Sequence, residues 1–468
     1  MYEYLTVFLY YYNYLTIFYF LGINSSYLIL NFLSFFAIRR YMIMSKVIKP
    51  DIIFKSNFYF PISLLIPAYN EGKMIVENVK SMLQLHYPEY EIIVINDGSK
   101  DNTAEALIAA YKMISVPLEQ SSFISTRAVR GIYVSTIYKH LILIDKVNGG
   151  KADALNAGIN YSKHPLFCAL DADSILENQS LLKISRPFIE DSDVVAVGGI
   201  IRVINGCTTK SGEITKIDMP KSFLAKFQII EYLRAFLFGR TGWSVLNSLL
   251  IISGAFGLFK KKEVAEAGGY KVGSLGEDFE LVLRLYELYQ PKKNIKVTFV
   301  PDPVCFTEVP ETFEILSKQR RRWQKGLISS LLEHRGLLFN PRYGNVGLIA
   351  VPFFFIFELI GPIIESTGYI VFIISYFLGI VDYEIAVLFL ICAFSIGIIL
   401  STSAIILEEI SFQKYPDLKH LVILLFCSII ENFGYRQINS YYRFIATFEY
   451  LLGHKKSWGE MSRQGFQK

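Results

Sequence analysis

The chain reads Leu166-Phe167-Cys168-Ala169-Leu170-Asp171-Ala172-Asp173, an apolar run that ends in two carboxylates one residue apart. A short apolar run bounded by polar residues is typical of a strand that is buried on both faces of a sheet. The carboxylates then lie on the turn after the strand, where they can share Mg²⁺ or Mn²⁺ with substrate phosphates, because both ions prefer oxygen ligands. This stretch therefore predicts a buried strand with a metal site, Asp171 and Asp173, at its end.

The same alternation of short apolar runs and helical stretches extends from residue 62 to residue 304. It predicts an α/β domain with a mainly parallel sheet, in which ligands bind beyond the carboxyl ends of the strands. Asp97 and Asp171 each follow such an end, which favours a functional role over that of an ordinary turn acid. The predicted strands are Ile62–Ile66, Glu91–Ile95, His140–Ile144, Leu166–Leu170, Val194–Val197 and Val297–Val300.

Bulk composition indicates a membrane protein that carries a soluble domain. Of the 468 residues, 52% are hydrophobic and 19% are charged, and the mean hydropathy is +0.35. The chain is therefore too apolar for an ordinary soluble enzyme and too charged for a protein made only of spans. A net charge of +5 gives no reason to expect nucleic acid as a partner. The five widely spaced cysteines have no zinc-type spacing and imply no disulfide framework.

An apolar segment precedes the predicted domain. The first 38 residues contain one acidic and no basic residue, and about 20 apolar residues suffice to cross a bilayer. We predict one long or tilted span over roughly Tyr12 to Ala37, because the segment lacks the charged start of a signal peptide. By the positive-inside rule, the basic residues that follow place the next segment in the cytoplasm; they are Arg39, Arg40, Lys46 and Lys49.

Three apolar stretches follow residue 323, namely Val346–Ile380, Ile385–Leu407 and Leu421–Ile430. Gly361-Pro362 interrupts the first stretch, which is either one kinked helix or a pair, and the last stretch is short. A basic tail favours the cytoplasm and requires an even number of crossings after the domain. Either the first stretch crosses twice, or the last does not cross. The basic residues of the tail are Arg436, Arg443, Lys455, Lys456, Arg463 and Lys468.

The segment from Lys221 to Gly239 has apolar residues at helical spacing with charged residues between them. An amphipathic helix at the membrane interface and a core helix of the soluble domain both fit this pattern.

Two motifs supply candidate contacts for a nucleotide. Asp97, in Asn96-Asp97-Gly98-Ser99, can accept a hydrogen bond from a nucleobase N–H group; the alternative is a turn aspartate that bonds its own backbone. Lys151 follows two glycines and can reach a phosphate, although the spacing is not that of a P-loop. The alternative for Lys151 is a solvated lysine on a loop.

Asp278 is the candidate general base. It lies in Gly276-Glu277-Asp278, just before an apolar-periodic helix. As a base it would take the proton of an acceptor hydroxyl while that oxygen attacks the anomeric carbon of a sugar. Glu277 is a competing choice, and an N-cap residue is the structural alternative for Asp278.

The run Gln319-Arg320-Arg321-Arg322-Trp323 adds charge and an aromatic ring. A positive-inside anchor before a span would explain the arginines but not the glutamine and the tryptophan. Arg322 offers a bidentate fork to a diphosphate. Trp323 offers a flat face to an acceptor sugar ring.

Taken in order, Asp97, Asp171-x-Asp173, Asp278 and Gln319-x-x-Arg322-Trp323 resemble the signature of family 2 glycosyltransferases. The resemblance is to the membrane-embedded processive group, which includes cellulose, chitin, hyaluronan and poly-N-acetylglucosamine synthases. It extends from residue 62 to residue 323 and implies an α/β GT-A domain inserted between transmembrane α-helices. The Asn-Asp-Gly sequence around Asp97 is similar to that of the chitin- and poly-N-acetylglucosamine-like members.

The resemblance implies a role for each matching residue. Asp97 would contact uracil, and Lys151 would hold the nucleotide. Asp171 and Asp173 would bind the metal and the diphosphate, and Asp278 would be the base. Gln319 and Arg322 would bind the donor and its pyrophosphate, and Trp323 would stack on the acceptor.

The implied reaction is a single inverting displacement that moves sugar from a UDP-sugar to a growing β-linked polysaccharide, which the later spans export. The alternative is a glycolipid synthase that adds one sugar to a membrane lipid. Expected partners are the UDP-sugar donor (an N-acetylhexosamine or glucose), a glycan or lipid acceptor, membrane lipid and accessory export subunits. The expected location is the plasma or inner membrane, with several spans.

These features divide the chain into five expected regions. Residues 1–40 form an N-terminal transmembrane segment, and residues 55–310 form a cytoplasmic GT-A catalytic domain. Residues 311–343 carry the Gln-x-x-Arg-Trp motif and an interfacial helix. Residues 344–440 form a transmembrane bundle, and residues 441–468 form a basic cytoplasmic tail.

Overall fold

The computed structural model describes residues 2–47, 59–118, 123–210, 212–381, 383–415 and 417–453. Most of residues 62–307 belong to a mixed α/β domain, and long apolar helices lie on both sides of it in sequence. Five of the basic residues used above to predict the orientation of the chain lie outside the described residues, and so does the end of the expected tail. They are Lys49, Lys455, Lys456, Arg463 and Lys468.

Ten strands form one sheet in the order β3-β4-β5-β2-β1-β6-β11-β8-β12-β7, and β9 pairs with β10 in a separate hairpin. The strands are β1 Ile62–Ala68, β2 Tyr90–Asp97, β3 Met113–Val116, β4 Val129–Ser135, β5 Leu141–Lys146, β6 Leu166–Leu170, β7 Ile175–Leu176, β8 Val194–Val203, β9 Thr208–Lys210, β10 Glu213–Lys216, β11 Phe256–Lys260 and β12 Lys296–Thr307. All six predicted strands are confirmed. Their apolar runs are buried at the centre of the sheet, which is why the sequence pattern identifies them.

The expectation of a mainly parallel sheet is wrong outside its centre. The parallel pairs are β5-β2, β2-β1, β1-β6 and β8-β12. Strand β11 runs antiparallel to both of its neighbours, β6 and β8. The chain leaves β8 through a hairpin and a long helical segment before β11, so it enters the gap from the opposite direction. The carboxyl ends of β1, β2, β5 and β6 still share one edge.

Helices cover the sheet and supply the rest of the site. They are α2 Ile75–Met82, α3 Thr103–Tyr111, α4 Lys151–Tyr161, α5 Ser180–Glu190, α6 Phe223–Leu233, α7 Thr241–Val245, α8 Lys261–Glu266, α9 Glu277–Tyr289 and α10 Phe313–Glu333. A π-helical segment, Arg234–Arg240, joins α6 to α7. Helix α4 lies directly on β1 and β2, because a side-chain carbon at Gly158 would meet Ile95 and Leu65 at 3.1 Å.

Helix α6 covers most of residues 221–239, for which the sequence allowed either an interfacial amphipathic helix or a core helix. Its buried residues include Leu224, Ile229, Ile230 and Leu233, and the helix packs against β8 on one side and apolar C-terminal helices on the other. It therefore packs between the sheet and those helices, which explains why both interpretations fitted its sequence.

The apolar helices are α1 Tyr2–Val47, α11 Val346–Phe377, α12 Tyr383–Ser411, α13 Leu418–Ile430 and α14 Tyr435–Leu451. In the described part of the chain, three helices are long and apolar enough to cross a membrane, and they lie in α1, α11 and α12. The bent pair α13–α14, with an angle of 56°, is a fourth candidate only if both helices form one span. Helix α11 is one helix rather than a pair, although it contains two π-helical segments.

Polar side chains join α1 to α11. Tyr19 donates to Glu365 and Tyr27 donates to Glu358, both at 2.8 Å. Nearer the N-terminus of α1, Asn13 donates to Ser375 at 2.8 Å. Such bonds between helices are favourable in an apolar environment, where an unpaired polar group is costly. They fix the first helix of the chain against the helix that follows the α/β domain.

Candidate active site

A cavity of about 970 Å³ lies beyond the carboxyl end of β6, between the α/β domain and the apolar helices. Seven of the eight predicted site residues line it, although they are spread over more than 170 positions of the sequence. They are Lys151, Asp171, Asp173, Asp278, Gln319, Arg322 and Trp323. Asp97, the eighth, does not line this cavity.

The Asp171-Ala172-Asp173 turn is fixed by the backbone around it. Strand β6 ends at Leu170, and the Ser174 N–H group donates to the Asp171 carbonyl oxygen at 3.1 Å, which closes the turn. From α2, the Asn78 side chain donates to the Ala172 carbonyl oxygen. Both carboxylates are therefore held on one short turn that opens into the cavity.

Lys151 begins α4 and faces the same turn. The residue before it, Gly150, has a φ of 89°, a conformation that glycine adopts at little cost. The Lys151 Nζ atom lies 2.5 Å from Asp171 Oδ1 and 3.1 Å from the Gly254 carbonyl oxygen. Burial alone would lower the pKa of Lys151, but Asp171 and the neighbouring acids outweigh it and raise the pKa. Lys151 is thus a half-buried, charged residue that is paired with Asp171, and not a solvated loop lysine.

The residues of this turn fit a divalent cation. Asp171 and Asp173 offer only oxygen atoms, which are the ligands that Mg²⁺ and Mn²⁺ prefer. Asp171 also pairs with the Lys151 ammonium group, so a metal ion at this turn would share that carboxylate with Lys151.

A second group of possible ligands, Glu280, Glu333 and His334, lies at the junction of α9 and α10. Cationic side chains already contact both of its carboxylates. Arg284 and His334 contact Glu280, and Lys271 contacts Glu333. Asp171 and Asp173 line the cavity, whereas Glu280, Glu333 and His334 are not among its lining residues, so the Asp171-Ala172-Asp173 turn is the better candidate for a metal that acts on a substrate.

Asp97 is buried beneath the glycine turn that precedes Lys151. Its carboxylate accepts from Lys146 Nζ at 2.7 Å, from the Gly149 N–H group at 3.0 Å and from the Gly150 N–H group at 2.7 Å. Lys146 is fully buried and is the counter-ion that the sequence analysis missed. In this structure Asp97 holds the turn in place, and its contact with uracil stays a prediction.

Asp278 and Glu277 lie side by side in the first turn of α9 but in different surroundings. The N-cap residue is Gly276, so Asp278 is not the cap. Asp278 Oδ2 accepts from the Gly254 N–H group at 3.0 Å. Glu277 is buried, with its carboxylate 3.9 Å from Lys151. Burial raises the pKa of Glu277; Lys151 opposes this effect, and Asp278 adds to it.

The three consecutive arginines have three different partners. Arg320 makes a bidentate pair with Glu231 of α6 at 2.6 and 2.9 Å, and Arg321 pairs with Glu449 of α14. Arg322 lines the cavity and acts electrostatically on Glu277. Arg321 thus connects α10 to α14, whereas Arg320 and Arg322 both line the cavity.

Trp323 is 42% exposed. The Arg320 guanidinium lies 4.5 Å from its ring centroid. The indole therefore has a cation against it and leaves part of its surface open to the cavity. Arg320 was not predicted as a site residue, because the Gln-x-x-Arg-Trp motif selects Arg322 and says nothing of the arginine that packs on the indole.

Two family models match the chain. The model described as Glycosyl transferase family 2 matches residues 63–247, and the model described as Glycosyl transferase family group 2 matches residues 166–400, about half of the chain. These matches include β6 and the Asp171-Ala172-Asp173 turn, and the second also includes Asp278 and the Gln319–Trp323 run.

Curated relatives include poly-beta-1,6-N-acetyl-D-glucosamine synthases. The chain is 31% identical over 265 residues to the synthase of Staphylococcus epidermidis, a match that covers 57% of this chain and 54% of that protein. It is 32% identical over 268 residues to the synthase of Staphylococcus aureus (strain COL), with the same coverage. The chain thus spans about half the length of these curated relatives.

Among solved structures, the mannosyltransferase PcManGT from Pyrobaculum calidifontis, in complex with GDP-Man and Mn²⁺, has a similar fold. The match covers 94% of this chain and 100% of that chain, with a TM-score of 0.53 and 14% identity. At this identity the likeness shows the fold alone.

Proposed function

We propose, because this chain belongs to the family 2 glycosyltransferases, that it transfers N-acetylglucosamine from its UDP derivative to a growing β-linked polysaccharide. The family and the GT-A fold follow from the comparisons. The sugar and the polymer are inferred from the names of the Staphylococcus relatives. The observation that carries the proposal is the cavity, in which a carboxylate pair, cationic groups, an adjacent acid and an indole line one space.

The donor diphosphate would lie between Lys151, Arg322 and the Asp171-Ala172-Asp173 turn. Negative charge develops on the diphosphate as it leaves, and cationic groups fixed in advance stabilise that charge. A divalent ion held by Asp171 and Asp173 would supply further positive charge at the same place. Arg322 matches two phosphate oxygens with its planar fork.

Gln319 supports the proposal that a polar group of the substrate binds close to Arg322. Its side chain is only 8% exposed, and its Oε1 atom has no hydrogen-bond partner among the described residues. A buried acceptor without a partner is costly, and a substrate hydroxyl that donates to it would remove that cost.

Asp278 would act as the general base. Its Oδ2 atom is oriented by the Gly254 N–H group. The carboxylate takes the proton of an acceptor hydroxyl, the hydroxyl oxygen forms a bond to the anomeric carbon, and the bond from that carbon to the diphosphate oxygen breaks. UDP leaves and the configuration inverts from α to β. Trp323 would hold the acceptor ring during this step.

The catalytic domain would face the cytoplasm at the plasma or inner membrane. If α11 and α12 each cross once and the bent pair α13–α14 lies on the surface, the number of crossings after the domain is even. An even number agrees with a basic cytoplasmic tail. The glycan would leave through the helices beside the cavity, with accessory export subunits as further partners.

The test uses purified protein in lipid nanodiscs with Mg²⁺ or Mn²⁺ and labelled UDP-N-acetylglucosamine, UDP-glucose, UDP-glucuronic acid and UDP-galactose. We expect a long, glycosidase-sensitive polymer from UDP-N-acetylglucosamine, and none from Asp278→Asn. A single sugar on extractable lipid would replace this proposal with glycolipid synthesis. A polymer from another donor would support a polysaccharide synthase but would assign it a different donor sugar.

A further inference from the structure

Arg240 is a cavity residue that the sequence motifs do not include. It is the last residue of the π-helical segment Arg234–Arg240, and it lines the cavity together with Asp278 and Trp323. π-Helical turns are rare and are frequent at functional sites. The segment therefore places a cationic side chain in the cavity from the side of α6 and α7.

The surroundings of the Arg240 guanidinium differ from those of nearby arginines. Arg234, at the other end of the segment, pairs with Glu431 at 2.5 Å, and Arg320 pairs with Glu231. Among the described residues, Arg240 makes no ion pair, and its Nη1 atom is buried without a hydrogen-bond partner. Its guanidinium instead lies 3.8 Å from the centroid of the Phe236 ring.

This guanidinium remains charged at neutral pH. Burial lowers the pKa of Arg240 to about 10, and the nearby Asp278 carboxylate opposes that effect. A buried donor on a charged group costs free energy until it meets an acceptor. The residues that the structure describes give Arg240 an aromatic face but no acceptor for Nη1, so a ligand in the cavity is the natural source of one.

The position of Arg240 relative to Asp278 indicates which ligand this is. A general base must lie within hydrogen-bond reach of the hydroxyl from which it takes the proton, so the acceptor sugar has to lie against Asp278. The diphosphate has its own cations, Lys151 and Arg322, and Lys151 is paired directly with Asp171. The charges that oppose the lowering of the Arg240 pKa are those of Asp278 and Tyr232, and both residues line the same cavity as Arg240.

We propose that Arg240 binds the acceptor, by donating hydrogen bonds to hydroxyl or carbonyl oxygens of the terminal sugar beside Asp278. This inference rests on the proposed function, since it takes Asp278 as the base. Arginine only donates, through five N–H groups in a fixed fork, so it fits a neutral sugar rich in oxygen acceptors. Arg240 would hold the attacking sugar in register with the base and would leave the donor to other residues.

The experiment compares Arg240→Gln and Arg240→Lys with the wild type in nanodiscs. Three quantities separate the acceptor from the donor: the Kd of UDP with Mn²⁺, the slow hydrolysis of the UDP-sugar by water, and the KM of an added oligosaccharide acceptor. Arg186→Gln is the matched control, because Arg186 pairs with Glu190 on α5, away from the cavity. Equal elution and melting behaviour of all variants would show that they fold.

For Arg240→Gln we expect an acceptor KM that is about 10- to 100-fold higher, as for the loss of a hydrogen bond from a charged group. The Kd of UDP and the rate of hydrolysis should stay within about twofold of the wild type, and Arg240→Lys should recover part of the effect. Weaker UDP binding would assign Arg240 to the diphosphate, and an unchanged acceptor KM would remove it from the site. Either result overturns the inference. Failure of the proposed function would differ, since the wild type itself would then form no polymer.

Discussion

At the level of single residues, the site contains two adjacent acids that differ in burial and in their contacts. Glu277 is buried and faces Lys151, whereas Asp278 is held by the Gly254 N–H group and is partly open to the cavity. A base has to reach a substrate proton, so the more open carboxylate is the better candidate. The sequence could not rank the two, because burial depends on what packs against the first turn of α9.

Replacing Asp278 should remove chemistry and spare binding. We expect Asp278→Asn to lower the rate of transfer by about 10²- to 10⁴-fold, the range for loss of a general base, with the Kd of UDP nearly unchanged. Glu277→Gln should retain measurable transfer. Steady-state rates and calorimetric UDP binding on both variants provide the check. An inactive Glu277→Gln variant beside an active Asp278→Asn variant would move the base to Glu277.

Asp97 should act on the donor through the glycine turn. Asp97→Asn removes one of the two carboxylates that face the buried Lys146, which keeps its pair with Asp153 at 2.5 Å. It also leaves only one side-chain oxygen for two backbone N–H groups, so we expect a cost of about 1–3 kcal/mol. We expect a lower Tm and weaker binding of UDP and GDP by a similar factor, because the turn that carries Lys151 loosens. Measuring the Kd of both nucleotides decides the point. A selective loss of the preference for UDP over GDP would favour direct contact with uracil.

At the level of elements, α10 has to pass close to the turn that carries Asp278. A side-chain carbon at Gly326 would lie 2.9 Å from the Gly276 backbone nitrogen and 3.0 Å from the Leu275 carbonyl carbon. Backbone atoms cannot give way as a flexible side chain can. The glycines at these two positions therefore set the distance between the Gln319–Trp323 run and the base.

Gly326→Ala should separate α10 from the Asp278 turn. We expect the rate of transfer to fall by about 10²-fold, the cost of a displacement of about 1 Å in a catalytic arrangement. Gly336→Ala is the matched control, since its added carbon would meet only the Glu287 side chain, at 3.9 Å. Transfer rates of the two variants are the measurement. Equal activity of both would show that the close approach does not position the site.

His334 joins the end of α10 to α9 and should make their packing depend on pH. Its ring lies 2.6 Å from Glu287 and 3.3 Å from Glu280, and Arg284 also contacts Glu280. Burial alone would lower the pKa of His334, but the two carboxylates outweigh it and raise the pKa above 6.5. A raised pKa means that the folded protein binds the proton more tightly than the unfolded chain does.

The stabilisation from His334 is therefore complete below the unfolded pKa and is lost as the pH rises through the folded pKa. We expect the Tm of the wild type to fall on going from about pH 6 to about pH 8, relative to His334→Gln, whose glutamine does not titrate. Scanning calorimetry of both proteins at each pH gives the comparison. Parallel Tm profiles would contradict the role given to His334.

The elements that the sequence predicted are those with a strong local pattern. Strand β6 was predicted with its correct bounds because five apolar residues lie between Pro165 and Asp171, and all five are buried. Strand β11 was not predicted, because Phe256–Lys260 is short and its place as an antiparallel strand between β6 and β8 depends on residues far away in sequence. Helix α11 was ambiguous because Gly361-Pro362 usually breaks a helix, yet here it lies at the start of an α-helical part that continues a π-helical one.

At the level of the whole molecule, ion pairs between distant parts of the chain attach the α/β domain to the apolar helices. Arg202 of β8 pairs with Glu408 of α12, Arg234 pairs with Glu431 after α13, and Arg321 pairs with Glu449 of α14. No local pattern could predict pairs separated by 128 to 206 positions. The motifs predicted seven of the residues that line the cavity, since the residues of each motif are neighbours in sequence. They did not predict the ion pairs that attach the α/β domain to the apolar helices.

The pair Arg202–Glu408 is the best place to test this attachment, because both side chains are almost fully buried, at 2% and 3% exposure, and lie 2.7 Å apart. Glu408→Gln leaves the Arg202 charge without its carboxylate, which should cost about 3–5 kcal/mol. The double variant Arg202→Met with Glu408→Leu removes both charges and fills similar volume, so it should recover most of the loss. Melting of each variant in nanodiscs, with transfer rates alongside, gives the comparison. If the double variant were as unstable as Glu408→Gln, the cost would come from altered packing between β8 and α12, and the ion pair would not be what holds the domain to the membrane helices.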